Sequence, residues 1–263
     1  MARAPRLRKT LGQHHLRRGE SCRPAVAYLR PQGRMVLEIG PGGGALTREL
    51  LRAGASVIAW ELDLPWAFEL RRRLREAALR VVAGDALDLP WERVPAGTLV
   101  AGNLPYSVAT PILERFLVHG PALPRAVFLV QDEVAGRLAA NPGSRAYGML
   151  SVTTAALASV TVLGRLEPGS FQPPPKVHGA FVAIERRVPA VPIDQMSAFR
   201  STVAASFAHR RKTLANSLSA SYGRAKALAA LESAHIDAGR RAETLPLAEF
   251  VALDRALRAP ASS

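Results

Sequence analysis

The sequence predicts an α/β protein: a largely parallel sheet with helices on both faces, then a small all-helical C-terminal domain. Three observations predict it. From residue 35 to residue 130 short apolar runs alternate with helical stretches. Those runs are mainly apolar and do not alternate, as strands buried on both faces do not. After Val188 no further strand pattern occurs, and apolar residues recur at helical spacing. The expected division is 1–187 for the α/β domain and 188–263 for the helical one.

Residues 35–39 (MVLEI) read as the first strand and run into Gly40-Pro41-Gly42-Gly43-Gly44. Residues 45–51 form a helix that Gly54 stops. Residues 56–61 (SVIAWE) are the second strand, and Pro65 suits the first turn of a helix running to about residue 78. Residues 79–83 and 98–103 give two further strands, Thr110-Pro111 opens a helix to about residue 118, and 126–130 is a fifth, fully apolar strand. Residues 160–166 and 178–186 read as two later strands, with an antiparallel hairpin as one way to close the sheet. Pro189 and Pro192 bracket a linker. Beyond it Met196, Phe199, Val203 and Phe207 keep helical spacing, and 213–220, 224–234 and 246–258 are further helical stretches.

The charge narrows the partners. Of 263 residues, 35 are Lys or Arg and 21 Asp or Glu, a net +14, and only four of the cations are Lys. A chain this basic points to a polyanion, nucleic acid first and anionic membrane second. GC-rich codon usage explains abundant Arg but not its placement. Residues 1–34 carry +8, residues 35–187 only +2, and residues 188–263 carry +4. A single cysteine, Cys22, excludes a disulfide framework and a cysteine-rich zinc site. The scattered histidines show no metal spacing, so no metal is expected. No apolar run approaches the ~18–20 residues of a membrane span, and no apolar segment follows the basic start. A cytoplasmic protein is expected.

The glycine cluster follows a strand and precedes a helix, so it lets backbone approach a ligand at a helix N-terminus. Residues 40–45 satisfy the dinucleotide pattern G-x-G-x-x-G/A, which keeps a hydride-transferring dehydrogenase in play. Three acids favour S-adenosylmethionine instead. Glu38 lies two residues before Gly40, Glu61 ends the second strand where a carboxylate accepts both ribose hydroxyls, and Asp85 stands where it accepts from an adenine amine. Asp85 also reads as a turn cap, and Glu61 as a surface ion pair.

Asn103-Leu104-Pro105-Tyr106 directly follows the fourth strand and is the most specific signal in the chain. The lone pair of an exocyclic adenine amine is delocalised into the ring, so the nitrogen is a poor nucleophile. Acceptors that hold its hydrogens and favour tetrahedral nitrogen localise that pair. The Asn103 side-chain oxygen and the Leu104 carbonyl supply two. Pro105 fixes the turn and has no N–H to compete. Tyr106 offers a ring on which a base stacks, worth ~1–3 kcal/mol. Positioning and electrostatics then carry the rate.

With these residues in view, the chain resembles the rRNA adenine-N6,N6-dimethyltransferases, and within them the 16S (small-subunit) branch behind kasugamycin sensitivity. The resemblance runs through RKTLGQHHL (8–16), VLEIGPGGGALT (36–47), WELD (60–63), GDAL (84–87), GNLPYSVATPIL (102–113), VQDEVAGRLAA (130–140), RAYGMLSV (145–152), FQPPPKVHGAFV (171–182) and HRRKTLANSL (209–218). It implies a Rossmann-like class I methyltransferase domain with S-adenosylmethionine as cofactor. The implied cofactor contacts are His14, Leu16, Glu38, Gly40, Gly42, Glu61, Asp85 and Asn103. Asn103, Leu104, Pro105 and Tyr106 would form the methyl-acceptor site, and Phe171 would stack near the target base. The implied substrate is two adjacent adenines of small-subunit rRNA in a pre-ribosomal particle, with a role in subunit biogenesis and a monomeric enzyme.

Two positions depart from the family pattern. The family usually reads GQNFL where this chain has Gly12-Gln13-His14-His15-Leu16, and Asn commonly follows the tyrosine where this chain has Ser107. Two rivals share the fold: the 23S adenine methyltransferases of macrolide resistance, and a non-catalytic RNA-binding assembly or transcription factor. Leu104, the Ala109-Thr110-Pro111 segment and RRKTLANSL favour the small-subunit branch. Arg210, Arg211 and Lys212 are either a solvated helix face or a grip on RNA phosphates.

Overall fold

The computed structural model describes Pro5 and residues 12–259. Most of the basic N-terminal arm, including residues 8–11 of the first motif, lies outside the described residues. In chain order the strands are β1 (His15–Leu16), β2 (Met35–Ile39), β3 (Ser56–Glu61), β4 (Leu79–Ala83), β5 (Leu99–Asn103), β6 (Arg125–Gln131), β7 (Ala158–Leu166), β8 (Phe171–Gln172) and β9 (Gly179–Arg186). The helices are α1 (Arg23–Leu29), α2 (Ala45–Arg52), α3 (Leu64–Arg73), α4 (Ala109–His119), α5 (Asp132–Leu138), α6 (Met149–Ala155), α7 (Met196–Phe207), α8 (Leu214–Tyr222), α9 (Arg224–Ser233) and α10 (Leu247–Arg258).

Seven strands form one sheet in the order β4-β3-β2-β5-β6-β9-β7. The pairs from β4 to β6 are parallel, and β9 runs antiparallel to β6. Parallel strands need both faces covered. Val36, Val57, Ala59, Leu99 and Ala101 pack with Ala25, Leu29, Leu46 and Leu50 from α1 and α2 on one face. On the other face Phe116 of α4 meets Phe128 of β6 edge-on, with ring centroids 5.7 Å apart. β2 and β5 are neighbours although the chain visits β3 and β4 between them, so the strand order reverses there. A ligand crevice forms beyond the strand C-termini at such a point.

The main strand pattern follows the sequence reading, with differences at the edges. The helix expected to about residue 78 ends at Arg73. Two 3₁₀ turns, Ala86–Asp88 and Trp91–Arg93, join β4 to β5. The closing strands place β9 between β6 and β7. α1, α5 and α6 were not anticipated. They are short, seven residues each, too short to print a helical repeat on the sequence.

The described residues form two compact units. One holds those up to Ala135 with Val160–Arg186, and the other holds Gly136–Ser159 with those from Arg187 onward. The chain does leave the sheet near residue 187. Residues 136–159, expected in the first domain, belong to the helical unit. There Tyr147 donates its hydroxyl to the Leu245 carbonyl at 2.8 Å, burying the phenol with its polar end satisfied. Within the same unit Phe207 and Phe250 stack at 5.7 Å. Thr202 donates to buried Asp254 at 2.8 Å, and Arg258 holds the other Asp254 oxygen at 2.9 Å.

Candidate active site

The strand order brings two loops together: the glycine turn after β2 and the Asn-Leu-Pro-Tyr turn after β5. They come close because Gly102 has no side chain. A β-carbon there would lie 2.7 Å from the Ile39 carbonyl, inside van der Waals contact. The two turns, the end of β3 and residues 12–15 line a cavity of about 150 Å³.

The glycine turn is built around Gly42, whose φ of +49° disfavours any side chain. A β-carbon there would also meet His15 Nε2 at 2.6 Å. The His15 ring lies over the turn and packs edge-on against Trp66 at 4.5 Å. Burial lowers its pKa to about 4, partly opposed by Asp63, so His15 is neutral. Sequence reading assigned His15 no role. Only the fold shows that it covers the turn.

Glu61 is 5% exposed and reaches the cavity from the end of β3. One of its oxygens accepts from the Gly42 amide at 3.0 Å and the other from the Asp63 amide at 2.9 Å. Burial raises its pKa, and these amide bonds oppose the rise. Glu38 is fully buried beneath a smaller hollow shared with His15, Leu16, Gly40 and Asn103. Burial, with Glu61's charge adding to it, raises its pKa to about 8. Its Oε2 has no protein partner, the mark of a polar atom placed for a ligand. Asp85 does not line the cavity. Its Oδ1 accepts from the Leu87 amide at 2.8 Å and caps the first 3₁₀ turn.

Asn103 stands at the end of β5. Its Nδ2 donates to the His14 carbonyl at 2.8 Å, which fixes the amide and leaves Oδ1 as a free-standing acceptor. The Leu104 amide donates to the Leu129 carbonyl at 3.1 Å, and its side chain is buried. Pro105 accepts from the Val108 amide at 3.1 Å, closing the turn. Tyr106 is half-buried and lines the cavity. Its hydroxyl is buried without a partner, and desolvation pushes it up to about 12.

Phe171 requires a correction. Its ring is fully buried within the hydrophobic core and presents no face to a base. It packs behind Tyr106 at Gly179, where a β-carbon would meet Phe171 Cζ at 3.0 Å and the Tyr106 hydroxyl at 3.4 Å. Its apolar ring lies behind the Tyr106 turn and does not line the cavity.

A two-stranded clasp that the sequence did not predict holds the first motif in place. β1 pairs antiparallel with β8, His15 opposite Gln172 and Leu16 opposite Phe171. His14 Nδ1 lies 2.8 Å from the Pro173 carbonyl. Arg17 donates to the Phe171 carbonyl at 2.9 Å and also to Gln172. Gln13 donates to Asp63 at 3.0 Å. His14 lines the cavity, its ring 5.6 Å from that of Tyr106, and Leu16 lines the smaller hollow. Residues 13–17 and 170–173 belong to two motifs of the resemblance, but nothing in either segment alone shows that they pair.

In the helical unit Arg210, Arg211 and Lys212 are exposed in the turn between α7 and α8, not on a helix face. Arg210 donates to the Arg145 carbonyl at 2.9 Å, tying this turn to a second basic loop. Across 136–159 and 187–263 the sequence has thirteen cations against six acids. His119 and His178 pair with Glu92 and Glu167 on the surface. No group of three potential metal ligands occurs among the described residues. No helix among them is long and apolar enough to cross a membrane.

Comparison with known proteins agrees with this geometry. A family model described as "Ribosomal RNA adenine dimethylase" matches residues 4–257. Among curated proteins, "Ribosomal RNA small subunit methyltransferase A" of Myxococcus xanthus is 44% identical over 228 residues, 84% of this chain and 80% of its own. The protein of that name from Acidithiobacillus ferrooxidans is 41% identical over 257 residues, covering 96% and 95%. Among solved structures, the 23S rRNA methyltransferase ErmE is 28% identical with a TM-score of 0.67, covering 96% of this chain and 98% of its own. A dimethyladenosine transferase from Plasmodium falciparum, 24% identical with a TM-score of 0.77 over 91% and 96%, shares the fold.

Proposed function

The chain belongs to the ribosomal RNA adenine dimethylase family, and from that premise we propose that it dimethylates N6 of two adjacent adenines in small-subunit rRNA. The observation that carries the reading is the fixed Asn103 amide, whose Oδ1 is offered beside the Leu104 main chain and the Tyr106 ring. The small-subunit target, and not the large-subunit one, is supported by relatives of that name at 40–44% identity.

The residues fit S-adenosylmethionine. Glu61 would hold the ribose hydroxyls, the glycine turn at Gly40 and Gly42 would pass beneath, and His14, Leu16 and Glu38 would line the remainder; Asp85, outside the cavity with Oδ1 capping a turn, would meet the adenine edge only through its other oxygen. A carboxyl with an unpartnered buried oxygen at Glu38 suits a cofactor with a polar amino-acid end. When bound, that cofactor supplies an electrophilic methyl group.

The chain's own residues act on the acceptor. Tyr106 holds the base by its ring. Asn103 Oδ1 and the Leu104 carbonyl accept the amine hydrogens and turn its lone pair out of the ring system. Arg210, Arg211 and Lys212 grip RNA phosphates in a pre-ribosomal particle, and the work is done in the cytoplasm, where such particles are built. The test is mass mapping of dimethyladenosine in both rRNAs with and without the gene. Loss from the small subunit supports this reading. Loss from the large subunit alone, or from neither, overturns it.

A further inference from the structure

Resting on that reading, we propose that the outer face of α3 is a further hold on the substrate RNA: an unpaired base near the target stacks on Phe68, and a phosphate meets Arg71. Eight large apolar side chains are exposed among the described residues, and three of them, Leu62, Leu64 and Phe68, fall within seven positions. Phe68 is the one aromatic ring among the eight and is 70% exposed. Scattered exposed apolar residues are ordinary, whereas a contiguous group marks a surface that a partner covers.

α3 is held to the protein by its other face. Trp66 packs against the His15 ring at 4.5 Å. Leu70 lies so close to the glycine turn that a β-carbon at Gly44 would meet its Cδ1 at 2.6 Å. Leu64 and Phe68 are four residues apart, and Phe68 and Arg71 three, so these exposed side chains form one outward row. The row starts beside Leu62, which lines the cavity next to Glu61. At a rise of ~1.5 Å per residue, Phe68 stands about 6 Å and Arg71 about 10 Å along the helix from Leu64. RNA whose target adenine enters the cavity therefore has this row beside it.

The charge names the occupant. Residues 64–75 carry four arginines against one acid, a local +3 that exceeds the +2 of the whole stretch 35–187. Glu69 pairs with Arg72 and Arg73. Among the described residues none engages the guanidinium of Arg71. An exposed ring next to an unengaged guanidinium suits an unpaired nucleotide, whose base offers a π-face and whose phosphate offers a charge. A second copy of this face would set like charges against each other.

Phe68→Leu keeps the apolar bulk and removes the ring, and Phe68→Trp restores a ring. Both are made in the full chain, at an exposed position that the fold should tolerate. Binding to unmodified small-subunit particles should weaken about tenfold in F68L and stay near wild type in F68W. RNA should quench F68W fluorescence beyond any change seen in wild type. Arg71→Gln should flatten the slope of log affinity against log salt by about one. Calorimetric affinity for S-adenosylmethionine should be the same in all three variants. Wild-type affinity in F68L, or an unchanged salt slope in R71Q, would overturn the proposal alone. So would a wild-type dimer in sedimentation that F68L turns into monomer, because the face would then belong to a second copy. If wild type leaves small-subunit adenines unmethylated, the reading beneath fails and the proposal with it.

Discussion

The carbonyl of His14 orients the amide of Asn103. The 2.8 Å bond from Nδ2 to that oxygen means that Asn103 Oδ1, the acceptor proposed for the target amine, is aimed by a main-chain group 89 residues earlier in the chain. Asn103→Ala removes the acceptor and leaves Glu61 and the glycine turn in place. Dimethyladenosine formation should fall by about 10²–10³-fold or more, with calorimetric affinity for S-adenosylmethionine little changed. Near-normal turnover would refute the acceptor role.

Glu61→Ala should act on binding. It removes the ribose acceptor and leaves the Gly42 and Asp63 amides without their partners. A loss of about 1.5–3 kcal/mol per charged hydrogen bond predicts at least tenfold weaker cofactor binding by calorimetry. Unchanged affinity would remove Glu61 from the ribose site.

Glu38 makes stability depend on pH. Its folded pKa of about 8 lies above the ordinary 4.5, so the folded state holds a proton that the unfolded chain gives up. That contribution is fully present below 4.5 and is lost as pH rises through 8. His15 works the other way: its folded pKa of about 4 lies below 6.5, so its contribution is present above 6.5 and is lost as pH falls through 4. The two oppose each other between 4.5 and 6.5. Between about 6.5 and 8 Glu38 dominates, and Glu61 is raised in the same direction by its burial. Stability should fall by up to about 1.4 kcal/mol per pH unit from Glu38. Thermal melts of Glu38→Gln should show a flatter decline across that window. A wild-type Tm that rises from pH 6.5 to 8 would contradict the assignment.

Reversing Arg210, Arg211 and Lys212 to Glu should weaken binding to small-subunit particles. It should also flatten the slope of log affinity against log salt by about 2–3, as expected for three lost phosphate contacts. The turn is exposed, so the fold should tolerate the change. An unchanged salt slope would show that this turn does not hold RNA.

The sheet and the acceptor turn were legible in the sequence because each is local. A buried parallel strand is a contiguous apolar run, and Gly40 to Gly44 and Asn103 to Tyr106 each carry their chemistry within five residues. The clasp was not legible, because His15 and Gln172 are 157 positions apart and two-residue strands leave no period. Phe171 was misplaced for a related reason: an aromatic beside a proline run reads alike whether its ring faces a cavity or the core. The excursion of residues 136–159 into the helical unit rests on partners such as Leu245, which are again distant in sequence.

The clasp has a consequence for the order in which the protein is made. The strands from β2 to β6, the glycine turn and Asn103 all precede residue 132. Residues 13–17 emerge before them, but Phe171, Gln172 and Pro173, which pair with them, come some 150 residues later. Until then residues 13–15 are held by Gln13 on Asp63 and His15 against Trp66, and the contact of His14 with Pro173 is missing. The segment that orients Asn103 is therefore completed late in the protein's own synthesis, only after Pro173 has been added.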